Sequence, residues 1–220
     1  VLEAAKNLNL EQVIITSTSE VYGTAQYVPI DEFHPLVGQS PYSASKISAD
    51  QLAISYYRSF NLPIKIARPF NTFGPRQSTR AIIPTIISQC LLNKKNIELG
   101  ALSPTRDLTY VEDTCLGFFN IFKSENSFGE TINIGMNSEI SIGDLTKKIM
   151  NIMRVNLTIV RSSDRIRPKK SEVERLFCNN KKILENTRWR PRYNLDKGLK
   201  VTTQWFKDNK HLFKTGKYHV

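Results

Sequence analysis

Residues 13–23 read VIITSTSEVYG. Val13, Ile14 and Ile15 form a β-branched run, the composition of a buried strand. Such a strand ordinarily ends in Gly, Pro, Asn or Asp, the residues that turn a chain. This one ends in four consecutive hydroxyl residues, Thr16 to Ser19, followed by a single carboxylate, Glu20. A carboxylate at the mouth of a sheet has two readings: it caps or decorates a turn, or it does chemistry there.

Outward from that stretch, strand and helix patterns alternate. A strand is predicted over residues 12–17. Ser40 is placed to cap a helix with Pro41 at its first position, running to residue 60. A second strand covers residues 63–69, closed by Pro69. Residues 81–92 read as a helix with Pro84 in its first turn, 96–100 as a strand, and 111–122 as a helix with an acidic first turn. A strand over 131–135 precedes a helix capped by Ser141, with Asp144 three residues on as a capping-box variant. A strand over 157–160 and helices over 180–185 and 195–207 complete the pattern. Such alternation predicts an α/β fold, a parallel sheet with helices on its faces. Ligands in such sheets sit beyond the carboxyl ends of the strands. Both unusual stretches, TSTSEVYG and RPFNTFGPRQ, fall just past strand ends.

The chain has 220 residues, 40% of them hydrophobic and 23% charged, an ordinary composition for a soluble globule. No apolar run approaches the roughly 18 residues of a membrane helix, so no membrane partner is expected. Cys90, Cys115 and Cys178 are few, odd in number and widely spaced. They support neither a disulfide framework nor a metal site, and they fit a reducing cytoplasm. The net charge of +11 is uneven: residues 1–150 carry 13 Lys/Arg against 14 Asp/Glu, and residues 151–220 carry 18 against 6. A basic half is either a solvated face or a site for an anion. RNA-binding signatures, zinc spacing and a helix-turn-helix pattern are missing, so nucleic acid is not the expected partner. A phosphorylated small ligand is the better specific reading.

Tyr42 and Lys46 lie four apart on one helix face. A phenol with a pKa near 10 becomes a usable base beside an ammonium, which favours the phenolate. The pair alone is weak evidence, because Tyr-x-x-x-Lys occurs by chance on many helices. No Gly-x-Gly-x-x-Gly follows a strand anywhere in the 220 residues.

Six pieces taken together are more specific: STSEVYG, SPYSASK, RPFNTFGPRQ, TRDLTYVEDT, TINIGMNSEIS and RPKKSEVERL, in this order over residues 17–176. In these the chain resembles the extended short-chain dehydrogenase/reductases that act on nucleotide-linked sugars, the NAD-dependent epimerase/dehydratase family. The resemblance implies a Rossmann-like sheet with a small C-terminal substrate-binding domain, and NAD as cofactor. It assigns residues 1–77 to the remainder of the NAD-binding domain, with 105–135 returning to it, and residues 78–104 and 136–220 mainly to the substrate-binding domain. The family's first hundred or so residues, with the Gly-rich loop, have no counterpart here. The expectation is an N-terminally truncated fragment with weak or no NAD binding of its own, and a homodimer of the full-length protein in the cytoplasm. Ile47, Leu52, Ile54 and Tyr57 are candidate dimer contacts or, alternatively, core.

Within the family, sugar 4-epimerases usually carry a small polar residue where this chain has Glu20, whereas 4,6-dehydratases carry Thr, then Asp or Ser, then Glu. Thr18-Ser19-Glu20 is similar to the triplet of GDP-mannose 4,6-dehydratases, and the wider likeness is to dehydratases of N-acetylglucosamine carried on UDP or GDP. By that resemblance Tyr42 takes the 4-hydroxyl proton, Glu20 the C5 proton, and Thr18 and Ser19 assist. Lys46 holds the nicotinamide ribose, with Ser17, Tyr42, Pro69 and Phe70 also at the cofactor. The nucleotide-diphosphate sugar is assigned to Asn71, Arg76, Arg80, Arg106, Asn137 and Arg175, with Arg165 and Arg167 as weaker candidates. The competing readings are an NAD-dependent nucleotide-sugar 4-epimerase, which has no use for Glu20, and an inactive nucleotide-sugar-binding remnant.

Overall fold

The run after Gln12 does form a strand. In the computed structural model, which describes residues 1–92, 95–162, 165 and 172–212, a short helix Leu2–Asn7 (α1) leads into Val13–Thr16 (β1). A single 3₁₀ turn, Ser19–Tyr22, follows. The helix Pro41–Phe60 (α2) begins where the sequence places it. Ser43 N donates to the Ser40 hydroxyl at 3.1 Å and Ser40 N to the Ser43 hydroxyl at 3.0 Å, a reciprocal cap that satisfies two otherwise orphaned donors. Asn61, at φ 52, ends it in the left-handed region that Asn tolerates.

Next come Ile64–Pro69 (β2), Asn71–Phe73 (β3), Ile82–Cys90 (α3), Asn96–Leu99 (β4), Thr105–Arg106 (β5), Leu108–Tyr110 (β6) and Val111–Lys123 (α4). The chain continues through Thr131–Ile134 (β7), Ile140–Ser141 (β8), Ile142–Met153 (α5), Thr158–Arg161 (β9), Arg175–Leu176 (β10), Lys181–Asn186 (α6) and Leu195–Asp208 (α7).

The sheet that positions the site is parallel, in the order β1-β2-β7, with Val13 opposite Ile64 and Ile66 opposite Thr131. Its alternation sorts side chains between two faces. Ile64 and Ile66, with Val13 and Ile15, pack with Ala53 of α2. Ala67, Ile132 and Ile134, with Ile14, pack with Ile121 of α4 and with Trp189. Three smaller sheets flank it. β3 pairs with β6 and β4 with β9, both parallel; β5 pairs with β10 in parallel and with β8 antiparallel. The largest apolar cluster joins α3, α5 and α7 to β4 and β6 through residues such as Ile86, Leu145, Ile149, Leu199 and Phe206. Among the described residues no helix is long and apolar enough to cross a membrane.

Lys65 is among the charged residues buried in this fold. Lys65, in the middle of β2, is 1% exposed. Its ammonium donates to the Ile121 and Phe122 carbonyls at 3.1 and 2.9 Å and to Gln12 Oε1 at 3.0 Å. It thus closes the C-terminal end of α4, where carbonyls have no intrahelical partner and the helix dipole favours a cation. Burial pushes its pKa below the ordinary lysine value. Lys65→Met keeps the stem and strands the two carbonyls. It is expected to destabilise the protein by about 1–3 kcal/mol in chemical denaturation; an unchanged denaturation midpoint would show that water replaces the ammonium at no cost.

Candidate active site

The carboxyl ends of β1 and β2 gather the unusual residues. Thr18, in extended backbone, caps the 3₁₀ turn: its hydroxyl accepts from Glu20 N at 3.2 Å. That turn leaves Ser19 buried and sets Glu20, partly buried, in the wall of a cavity of about 280 Å³. Several chain stretches besides the Glu20 turn build this wall. The segment after β2 contributes Asn71, Thr72, Phe73, Gln77 and Arg80, and the segment around β5 contributes Pro104, Arg106 and Leu108. Ile82, Ile83, Leu99 and Ile142 make part of the lining apolar. The cavity therefore combines two carboxylates, Glu20 and Glu172, with two neutral amides, guanidinium groups and an aliphatic slot.

Tyr42 and Lys46 stand on the first turns of α2, which packs on the 3₁₀ turn. Lys46 Nζ donates to the Thr16 carbonyl at 2.9 Å and lies 6.0 Å from the centroid of the Tyr42 ring. The Thr16 carbonyl is the last of β1, so this bond moors the helix to the strand end that carries the triplet. Tyr42 is 54% exposed and stands outside the cavity lining.

Behind the strand ends lies a buried polar network that sequence reasoning did not find. Ser17 Oγ donates to Asp50 Oδ2 at 2.7 Å. Arg68 meets the same oxygen with Nε at 3.0 Å and Nη2 at 2.9 Å, the two side chains being 5% and 1% exposed. Arg68 Nη1 donates to the Tyr22 hydroxyl at 3.0 Å, and that hydroxyl donates to Asn133 Oδ1 at 2.7 Å. Asn133 N in turn donates to Glu32 Oε1 at 2.8 Å. Burial pushes the Tyr22 phenol upward despite the facing guanidinium, and burial also raises Glu32. Burial alone would lower Arg68; the Tyr22 oxygen and Asp50 outweigh it and hold the guanidinium charged. The Ser17 hydroxyl is thus committed to Asp50 in the interior, and Phe70 is a core side chain beside Val21 and Tyr22. Pro69 closes β2. The one sequence signal for Asp50 was its position four residues after Lys46, on the same helix face.

Of the residues assigned to the nucleotide-diphosphate sugar, Asn71, Arg80 and Arg106 share the cavity, and Arg76, Asn137 and Arg175 lie outside its lining. Arg80 and Arg106 line the cavity together with Arg165. Arg106 pairs with Glu172 at 3.1 Å, with side chains 12% and 16% exposed, and also donates to its neighbour's carbonyl. Arg175 is turned to Glu139, which it grips through Nε and Nη2; those hydrogen bonds hold Glu139 below the usual carboxylate range. Arg76 is exposed, at φ 64, and Asn137 is exposed at φ 53; neither lines the cavity. Arg167 lies outside the described residues.

Asn137 nevertheless belongs to a turn that holds Asp107, the residue after Arg106. Asp107, fully buried, accepts from the backbone N–H of Met136 at 2.7 Å, Ser138 at 3.2 Å and Cys178 at 3.3 Å. The left-handed turn at Asn137 converges these amides into an anion nest. Gly135 is needed beside it, because a Cβ there would collide with Cys178. Burial raises Asp107 to about 6 against the pull of those donors. A carboxyl raised in the folded state keeps its proton longer than in the unfolded chain. Its contribution favours folding below about pH 4 and is lost as the pH rises towards 6. Asp107→Asn is expected to flatten the pH dependence of stability between about pH 4 and 6; an identical slope in both proteins would contradict this. Asp50→Ala, which leaves Arg68 buried without its partner, is expected to destabilise by about 3–5 kcal/mol in denaturant titrations; a loss of a few tenths would mean that water enters the site.

Among the described residues no group of three or more His, Cys, Asp or Glu side chains could hold a metal ion.

Known proteins resemble this chain in sequence and fold. The family model described as GDP-mannose 4,6 dehydratase matches residues 1–202. A dTDP-glucose 4,6-dehydratase of Streptomyces antibioticus is 31% identical over 209 residues, covering 95% of this chain and 61% of its own length. Among solved structures, the dTDP-glucose 4,6-dehydratase of Bacillus anthracis in complex with NAD matches with a TM-score of 0.85 at 30% identity, over 96% of this chain and 66% of that one. The UDP-glucuronic acid 4-epimerase of Bacillus cereus, in complex with UDP-glucuronic acid and NAD, matches with a TM-score of 0.86 at 29% identity, over 94% and 65%. The chain thus spans 61% of the length of the Streptomyces relative.

Proposed function

The chain belongs to the GDP-mannose 4,6-dehydratase family, and from that premise we propose that the full-length protein is an NAD-dependent nucleotide-sugar 4,6-dehydratase. The observation that carries the proposal is Glu20: a carboxylate in the wall of a cavity, one turn beyond the strand to which Lys46 ties the Tyr42 helix. The finer reading of the substrate is an N-acetylglucosamine carried on UDP or GDP, supported by the wider likeness of the six motifs.

The residues present fit the nicotinamide-ribose end of NAD. Lys46 gives one donor to Thr16 and has two further N–H donors, suited to ribose hydroxyls, and the exposed Tyr42 hydroxyl stands on the same helix face. When bound, NAD supplies the hydride acceptor for C4 and the hydride donor for C6. Tyr42 takes the proton of the 4-hydroxyl as C4 is oxidised. The new ketone acidifies the C5 proton, and Glu20 removes it. The C6–oxygen bond breaks with departure of water, the C6 oxygen receiving its proton from Glu20 or through Ser19. With hydride delivered to C6 and Glu20 reprotonated from solvent, Glu20 gives that proton to C5, leaving a 4-keto-6-deoxy sugar. Thr18 orients the 4-hydroxyl. Arg80 and Arg106 face the diphosphate, and the aliphatic slot at Leu99 and Ile142 faces the base.

A 4-epimerase is the second reading, favoured by the likeness to the Bacillus cereus 4-epimerase. It requires hydride removal and return at C4 and leaves Glu20 idle. We further propose that the full-length protein pairs with a second copy through the outer face of α2, where Leu52 and Phe60 are 57% and 54% exposed. Ile47, Ile54 and Tyr57 pack inside the chain instead. The three thiols are unpaired, which suits a reducing cytoplasm. The division into a cofactor-binding part, residues 1–77 with 105–135, and a substrate-binding part is retained as part of this reading.

Glu20→Gln in the full-length protein is expected to lower dehydration by about 10²–10⁴, the usual worth of a general base, while oxidation at C4 persists as a transient absorbance of reduced cofactor. Dehydration at the wild-type rate would remove Glu20 from the mechanism, and clean inversion at C4 by the wild type would favour the epimerase.

A further inference from the structure

Tyr42, Lys46 and Asp50 follow one another at intervals of four residues, so they share one face of α2. That face grips the end of β1 at two consecutive residues. Lys46 Nζ donates to the Thr16 carbonyl at 2.9 Å, and Ser17 Oγ donates to Asp50 Oδ2 at 2.7 Å. Ser17 reaches the helix because alternation along the strand turns it, like Val13 and Ile15, toward α2. The two ties differ in kind. Lys46 is partly exposed, and its ammonium has a ribose to serve. Ser17 and Asp50 are buried, at 3% and 1% exposure. Nor is Asp50 free to swing, because Arg68 holds the same Oδ2 through Nε at 3.0 Å and Nη2 at 2.9 Å.

From Ser17 the chain runs directly into Thr18, Ser19 and Glu20. Tyr42 and Glu20 thus stand on different elements, a helix and a 3₁₀ turn. The reaction proposed above needs them at neighbouring carbons of one sugar ring, C4 and C5. A misplacement of about 1 Å between reacting groups can cost about 10²-fold in rate. The spacing between turn and helix therefore matters to the chemistry, and the Ser17–Asp50 bond is an enclosed tie between them that no ligand has to displace.

Resting on that proposed function, we propose that Ser17 and Asp50 are positioning residues for proton removal at C5. Their hydrogen bond sets the turn that carries Glu20 against the helix that carries Tyr42. Neither side chain touches the substrate: Arg68 fixes Asp50, Asp50 fixes Ser17, and Ser17 fixes the start of the turn.

The test is single-turnover and steady-state kinetics of the full-length protein with NAD. The substrate is whichever of UDP-N-acetylglucosamine, dTDP-glucose and GDP-mannose the wild type turns over. The readouts are the absorbance of reduced cofactor and the entry of deuterium at C5 from deuterium oxide. Ser17→Ala removes the tie and leaves Arg68 on Asp50. It is expected to lower kcat about ten- to a hundredfold, with KM for the nucleotide sugar within about twofold. Oxidation at C4 depends on Tyr42 and on the ribose held by Lys46, both on α2. It is expected to slow less, so that reduced cofactor accumulates before deuterium enters C5. Ser17→Cys keeps the shape with a weaker donor. It is expected to fall between wild type and Ser17→Ala, and it carries the test by itself if Ser17→Ala does not fold. A wild-type kcat in these variants overturns the inference while the dehydratase reading stands. Equal slowing of C4 oxidation and C5 exchange overturns it too, because a bond that only stabilises the fold favours neither step. A wild-type protein that turns over none of the three, or does so without deuterium at C5, overturns both.

Discussion

Asp50 and Arg68 form an ion pair that is almost fully enclosed, and Ser17 shares its oxygen. Three elements meet in that contact: the residue just past β1, the middle of the helix carrying Tyr42 and Lys46, and β2. Two charges brought out of water attract strongly only when their geometry is good and their remaining hydrogen-bonding capacity is met. Here Arg68 reaches Asp50 through two nitrogens and Tyr22 through a third, and the Tyr22 hydroxyl passes its own proton on to Asn133. The network ties the root of the Thr18-Ser19-Glu20 turn, the helix carrying Tyr42 and Lys46 and two strands of the sheet into one unit. A shift of any member would break a buried polar contact, so the network resists the small displacements that general acid–base chemistry tolerates poorly.

On that unit the fold builds outward in two directions. Lys46 adds a second tether at the Thr16 carbonyl, which keeps the first turns of α2 at the strand end. Asp107 organises the other side by collecting the amides around Asn137 and at Cys178, next to Arg106 in sequence. Buried carboxylates thus frame the cavity from behind without entering it. Glu20 and Glu172 are the carboxylates that line it. Glu172 neutralises Arg106, and an incoming diphosphate would compete with it for the guanidinium.

The long elements were legible because their signals are local. The β-branched runs of β1 and β2, the Ser40 cap and the Ser141 cap each sit within a few residues of the element they announce. The two- and three-residue strands β3, β5, β6, β8 and β10 were not read, since so short a run shows no alternation and their pairing is long-range: Arg175 of β10 lies opposite Thr105. The site divides in the same way. The triplet at 18–20 and the Tyr42–Lys46 spacing are local patterns. Arg175, in contrast, resembled a diphosphate contact in sequence, but its guanidinium is held by Glu139, 36 residues away. Asp50, Arg68 and Asp107 acquire their roles only through tertiary contacts.

The central claim is that this family member uses Glu20 to move a proton at the carbon beside a transient ketone. Turning over the preferred nucleotide sugar with the full-length protein in deuterium oxide, followed by mass and NMR analysis of the sugar, tests it most directly. The account predicts a 4-keto-6-deoxy product carrying one solvent deuterium at C5. A product that keeps its 6-hydroxyl and carries no deuterium at C5 would contradict it.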